Sequence, residues 1–203
     1  WGKFIGTAGL FGAYLYDNGY IKRILDNSKV SYRYIDDEKM ESVIAKKLAD
    51  GLIGRIFRGR MENGPRALGN RSVIASPVFD DIVERINNIK EREMFRPIAP
   101  IVLEKYFERM ANKYMFMTSL VKESKQDKIP AVTHVDRTSG VQTINVHESA
   151  FIYNLIKEFF CITGVPVIVN TSLNFKSKPI IENPIEAIGN FYSSGLDFLV
   201  LEN

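Results

Sequence analysis

The chain has 203 residues, 45% hydrophobic and 25% charged, with a formal net charge of +3. That length and composition describe one large globular domain, or one domain with a short appendage, able to bury a full core. The charge is too small for a whole-surface nucleic-acid binder, no apolar run reaches membrane-spanning length, and the single Cys161 excludes an internal disulfide.

Residues 1–35, rich in Gly and Tyr, read as a linker or N-terminal edge segment with one short helix near 20–26. Asp36 or Asp37 then caps a helix with Met40, Val43, Ile44 and Leu48 on its apolar face and Gly51 at its end. "LIGRIF" is a strand that runs into the cationic stretch "GRMENGPRALGNRS", and "SVIAS" is a second strand closed by Pro77. Asp80 starts a helix with Ile82, Val83, Ile86 and Ile89 on one side. "REMFRPIAPIV" is extended and broken by proline, and "LEKYFERMANK" is expected to be helical.

In the second half, "PAVTHV" and "GVQTINV" read as strands, followed by an amphipathic helix over about 147–163 that Gly164 stops. "VPVIVNTS" has the continuous apolar character of a buried strand. Asn183-Pro184 starts another helix, Gly195 ends it, and "LDFLVLEN" is the last strand. Strand, helix and strand over about thirty residues predict a βαβ unit with parallel pairing and a right-handed crossover. The class is α/β, a mixed sheet with packed helices. A start at Trp1 rather than Met points to a chain cut from something longer.

Four segments can carry chemistry. In "GRMENGPRALGNRS", Gly59, Gly64 and Gly69 allow close backbone approach, while Arg60, Arg66 and Arg71 offer donors to an anion. The alternative is a surface loop whose arginines pair with Asp80 and Asp81. The Walker spacing is absent. "KEREMFRP" supplies Lys90, Arg92 and Arg96; it is either a solvated charge run or a segment that Phe95 and "PIAPIV" hold against the core, with Arg96 in a pocket. In "THVDRTSGVQT", alternation puts His134 and Asp136 on one face of a strand. That pair can orient a base, bind a ribose hydroxyl or a metal, or simply hydrogen-bond; Arg137 follows it. With His147 opening a distant helix and no Cys-His cluster, no metal site is expected. In "VIVNTSLNF", Asn170, Thr171, Ser172 and Asn174 sit at the carboxyl end of a buried strand, suited to a carbonyl or phosphate or to a plain turn. Cys161 is read as a core residue of its helix.

These blocks, in this order, resemble the C-terminal domain of the O-carbamoyltransferases of the nodulation-protein and antibiotic-carbamoylating type, over about residues 36–203. The resemblance implies a YrdC-like mixed twisted sheet with packed helices, in the cytoplasm. It implies a domain that binds carbamoyl phosphate and ATP with Mg²⁺ and forms a carbamoyl-adenylate. An N-terminal domain of the same full-length chain, absent here, would hold iron and pass the carbamoyl group to a substrate hydroxyl. Carried over by position, Arg66, Lys90, Arg96, Asn170 and Ser172 would contact carbamoyl phosphate or nucleotide phosphates. Two departures stand out: Gly140 replaces a family arginine, with Arg137 three residues earlier, and Ser177-Lys178-Pro179 replaces Gly-Glu-Pro. The competing reading is a non-catalytic nucleotide- or RNA-binding module, or a domain that docks a partner through its basic loops. The lack of interleaved aromatics argues against RNA.

Overall fold

The structure is a computed structural model that describes residues 16–62, 66–108, 112, 114–174 and 178–201. In chain order the elements are α1 (Asn18–Asn27), α2 (Asp37–Ala49), β1 (Gly54–Phe57), β2 (Arg71–Ala75), α3 (Ile82–Ile89), β3 (Ala99–Leu103), β4 (Ser119–Leu120), α4 (Glu123–Gln126), β5 (Thr138–Ser139), β6 (Gln142–Ile144), α5 (Ala150–Thr163), β7 (Val167–Ser172), α6 (Pro184–Tyr192) and β8 (Phe198–Leu201). Three helices start on side-chain caps, whereas Asp36, Asp81 and Lys122, at the starts of α2, α3 and α4, make no side-chain cap bond. Asp17, Ser149 and Asn183 accept from the amides of Tyr20, Ile152 and Glu186 as N-caps. Gly164 closes α5 in the left-handed conformation at φ 71°.

The last turn of α3 is closed by its own backbone. The amide of Arg92 donates to Asn87 O (3.0 Å) and that of Glu91 to Asn88 O (3.0 Å), which is a Schellman motif. Glu91 occupies the left-handed position at φ 50°, where glycine is the usual residue. We therefore expect Glu91→Gly to raise stability by up to about 1 kcal/mol. The denaturant midpoint checks this, and an unchanged or lower midpoint contradicts it.

The main sheet runs β6-β3-β7-β2-β1-β8, and β4 pairs with β5 in a separate ribbon. β7 lies antiparallel to both β2 and β3, β2 antiparallel to β1, and the outer pairs β1–β8 and β3–β6 are parallel. The sheet is buried on both sides, so β3 and the first half of β7 are apolar runs without alternation, while the polar residues of β2, β6 and β7 collect at one end. On one face Ile56, Ile74, Ile101 and Ile168 pack against Ile44 and Leu48 of α2 and Leu155 and Phe159 of α5. On the other, Phe57, Val73 and Val169 pack against Ile82 and Ile86 of α3, Ala187 of α6 and Ala131 and Val132. α1 adds a small cluster of Ile21 and Leu25 on Ile188 of α6. No helix among the described residues is long and apolar enough to cross a membrane.

Several expectations are corrected. β7 and β8 point the same way but are not neighbours, because the β1–β2 pair lies between them; the predicted βαβ adjacency does not occur. "PAVTHV" is not a strand: Pro130–Val132 is a 3-10 turn with proline in its first position, and a tight turn follows. The expected helix after β3 is only a 3-10 turn over Glu104–Tyr106; residues 109–111 and 113 lie outside the described residues. α5 starts three residues later than expected, after His147 rather than at it. Cys161 is exposed. It follows Lys157 by four residues, which is the solvent side of α5, whereas the core takes Ile152, Leu155, Ile156 and Phe159.

Candidate functional site

The strand register decides which loops meet. Phe57 is opposite Arg71, Ser72 opposite Ser172, and Ala99 opposite Asn170, while β6 runs parallel to β3 with Gln142 beside Ile101. The carboxyl ends of β1 and β7 and the amino ends of β2, β3 and β6 therefore share one end of the sheet. Every one of the four sequence blocks opens there.

Hydrogen bonds join the blocks directly. Asn170, buried on β7, donates through Nδ2 to Ala67 O in the first block (2.8 Å) and to Gln142 Oε1 in the third (2.9 Å). Lys90 of the second block reaches the fourth: its Nζ donates to Ser172 O (2.5 Å), Asn174 O (3.0 Å) and Asn174 Oδ1 (2.9 Å). Ser172 Oγ in turn donates to Asn174 Oδ1 (2.6 Å), and Asn174 Nδ2 to Lys178 O (2.8 Å). Thr171 is half-buried beside them.

Lys90 is a buried cation among cations. Burial, then the charges of Arg92, Arg55 and Arg96, pushes its ammonium down to about 7. Arg55, buried in β1, donates from Nη1 to Asn190 Oδ1 (3.1 Å), and burial lowers it to about 10. Arg92 is half-buried and also lowered, first by burial and then by Arg96. Four cations, three of them partly or fully stripped of water, thus repel one another at this sheet end, and a bound anion would relieve that repulsion.

The first block folds differently from its reading as three outward arginines. Arg71 is fully buried: Nη1 donates to Arg58 O (2.6 Å) and Asn70 O (3.1 Å), Nη2 to Gly59 O (3.1 Å), and the guanidinium stacks 3.7 Å from the Phe57 ring centre. Its fork is occupied by backbone, so Arg71 is a tie that shapes the loop and not an outward ligand. Arg66 and Arg60 are exposed, and Arg60 O accepts from Asn70 Nδ2 (2.9 Å). The alternative pairing with Asp80 or Asp81 is not formed by them among the described residues; Asp81 pairs with Arg85 (3.5 Å). Asn63, Gly64 and Pro65 lie outside the described residues.

The second block is also corrected in part. Phe95 is 86% exposed and tethers nothing, and Arg96 is exposed beside Glu93 (3.7 Å) rather than in a pocket. In the third block, His134 and Asp136 sit in a turn and not on a strand face. Arg137 N donates to His134 O (2.8 Å), His134 Nδ1 meets Thr138 Oγ1 (3.1 Å), and Asp136 Oδ1 accepts from Thr138 N (2.9 Å) and Oγ1 (2.6 Å). The bonds from Thr138 hold the Asp136 carboxyl below its usual range. Arg137 is exposed at φ 63°, and no atom lies within 4 Å of a Cβ built on Gly140.

Sequence reasoning passed over three residues that build this end of the sheet. Glu62, buried, accepts three amides at Oε1, from Leu68 (2.9 Å), Asn70 (2.6 Å) and Arg71 (3.0 Å). Asn87, buried, binds Arg92 and the turn after it. Arg55 is the third. Their signals were visible as the lone acid of a cationic loop, a polar residue beside Ile86 on the apolar side of α3, and a charge inside an apolar strand.

The family model described as Carbamoyltransferase C-terminus matches residues 45–203. The chain is 36% identical over 180 residues to the uncharacterized protein MJ1058 of Methanocaldococcus jannaschii, covering 86% of this chain and 29% of that protein. It is 38% identical over 180 residues to nodulation protein NolNO of Sinorhizobium fredii, covering 83% of this chain and 26% of the relative. It thus spans about a third or less of these two relatives. Among solved structures it resembles full-length HypF in the phosphate- and nucleotide-bound form (TM-score 0.54, 20% identity, 85% of this chain and 22% of that one). It also resembles P. abyssi Sua5 (TM-score 0.52, 14% identity, 82% and 50%). These neighbours share the YrdC-like α/β fold, which is the fold of this chain.

Proposed function

The chain belongs to the carbamoyltransferase C-terminus family, and from that premise we propose that it is the ATP- and carbamoyl-phosphate-binding domain of an O-carbamoyltransferase. The observation that carries this reading is the bonding of Lys90 to Ser172 and Asn174, at the sheet end where the arginine loop also opens. Water attacks the phosphorus of carbamoyl phosphate and releases inorganic phosphate and carbamate; a carbamate oxygen then attacks the α-phosphorus of ATP, the bond from that phosphorus to the bridging oxygen of the β-phosphate breaks, and pyrophosphate leaves with the electron pair. Charge grows on the phosphoryl oxygens. Arg92, Arg96 and Arg66 stabilise it, while the Lys90 ammonium, its three protons given to Ser172 and Asn174, adds its charge and holds that turn. Asn170 and Ser172 suit the neutral carbamoyl end. The phosphate and nucleotide named for the HypF structure are of the kind this site would take.

The donors present fit anions better than a metal. The buried carboxylate here, Glu62, already accepts three amides on one oxygen, and the described residues hold no group of three or more His, Cys, Asp or Glu suited to an ion. Mg²⁺ therefore fits as an ion carried by the phosphates of ATP. Residues 1–35 lead, in this reading, from a further N-terminal domain to a unit over 36–203; iron and the acceptor hydroxyl belong to that domain.

The test is incorporation of labelled pyrophosphate into ATP by the intact protein, with and without carbamoyl phosphate. Exchange that depends on carbamoyl phosphate supports the reading; ATP binding without exchange leaves only a nucleotide-binding module. Arg66→Ala and Arg96→Ala should each weaken ATP or carbamoyl phosphate by about 10- to 100-fold, the range for a lost charged hydrogen bond. Both side chains are exposed, so the melting temperature should stay nearly unchanged. A large loss of stability with unaltered binding would make these arginines structural.

A further inference from the structure

Asn87 has no solvent exposure, and each of its side-chain polar atoms is used. Oδ1 accepts from Arg92 Nε (2.5 Å), and Nδ2 donates to Met94 O (2.9 Å) and Arg96 O (3.0 Å). Ending α3 does not require these bonds, since the backbone of residues 87–92 closes the helix by itself. What they do is hold the next five residues. Arg92 has a second notable property: its Nη2 is buried and has no partner among the described residues.

We propose that Asn87 is the positioning residue of the anion site, fixing the plane of the Arg92 guanidinium and the arch of residues 92–96 so that the Nη edge is presented to a phosphoryl group. The inference rests on the carbamoyl-transfer reading above. A guanidinium is a rigid fork, so a bond at Nε sets where the other donors point. Holding Met94 O and Arg96 O keeps the chain from unwinding outward, which places the backbone carrying Arg96 at the same time. An unpartnered buried donor is costly in the empty protein; Nη2 is closed to solvent there, so a ligand oxygen that removes the cost must displace what covers it. Asn87 itself touches no ligand; it acts through Arg92.

The test is titration of the intact protein with ATP and with pyrophosphate in four forms: wild type, Asn87→Ala, Arg92→Ala and the double variant. Asn87→Ala should weaken pyrophosphate binding about tenfold when Arg92 is present, the scale of one lost charged hydrogen bond. With Arg92→Ala in place it should weaken it less than about twofold, because coupled residues are not additive. Equal factors in both backgrounds would make Asn87 merely structural and overturn the proposal. Arg92→Lys gives a second measurement that leaves Asn87 intact. It keeps the charge but has no Nε to be held, so a loss of about tenfold is expected, and full retention overturns the proposal. Wild type that binds neither ligand at millimolar concentration removes the transfer reading and this inference together, whereas binding with equal factors removes the inference alone.

Discussion

Replacing Lys90 by methionine is expected to abolish a rise in stability with pH and to weaken phosphate-ligand binding by about tenfold, through loss of the bonds that hold the Ser172–Asn174 turn. The sign comes from the burial of the ammonium. Its folded-state value, about 7, lies below the ordinary 10.5, so between those limits the unfolded chain binds the extra proton. Stability therefore increases as pH rises through that window, by up to about 1.4 kcal/mol per pH unit for one proton. Below about 7 both states carry the proton and the full cost of the buried charge remains. Methionine has a similar length and no charge, so the slope should disappear. Denaturant unfolding of both proteins at pH 7, 8 and 9 measures the difference, which cancels the titration of every other group. Parallel curves for wild type and variant would show that Lys90 is not held near neutrality.

The second large effect is expected at Gly69, where φ is +108° and a Cβ would fall 2.5 Å from Ile152 Cγ1. Ile152 is buried in α5, in the main core, and cannot withdraw. Gly69→Ala combines backbone strain with overpacking, a total on the order of 3 kcal/mol, which for this chain length lowers the melting temperature by roughly 6–12 °C. The Gly69 amide donates to Ser72 Oγ (3.1 Å), and the neighbouring Leu68 and Asn70 amides reach Glu62. The strain is thus delivered into the arginine loop, and ligand binding should fall with stability. Gly140→Ala is the control, because nothing lies within 4 Å of its added methyl. Equal melting temperatures for the two variants would contradict the packing argument.

Much of the fold was legible because its signals are local. Asn183-Pro184 and Gly164 mark helix ends by chemistry that acts within one turn, and they fall where the structure has them. The apolar runs around Ile56, Ile74 and Val169 read as strands, and they are. Partner choice was not legible: β8 joins β1 and not β7, and the complementarity that goes with it, the Phe198 ring over Gly54, is recognisable only once the strands are paired. "PAVTHV" misled for another reason. Ala131 and Val132 are buried as a strand's would be, but proline at the first position favours a helical turn. At the site, Asn170 and Lys90 tie the ends of the four blocks together, but the direction of each side chain stayed hidden, and the printed bonds of His134 and Asp136 run within their own turn. Arg66 and Arg71 look alike in sequence, yet one is exposed and the other is enclosed by its own loop's carbonyls. Only the fold, through Phe57 and Glu62, separates them.

The pairing of β8 with β1 has a consequence for synthesis. Asp197 grips the entry to β1 through two bonds, Ile53 N to Asp197 Oδ2 (2.7 Å) and Asp197 N to Ile53 O (3.0 Å), across 144 positions of chain. On the ribosome the outer rim of β1 waits uncovered until residues 198–201 have emerged, since contacts so distant along the chain form late. A premature stop just before them would release a molecule that has its arginine loop and its buried lysine, but also a bare strand open to another copy.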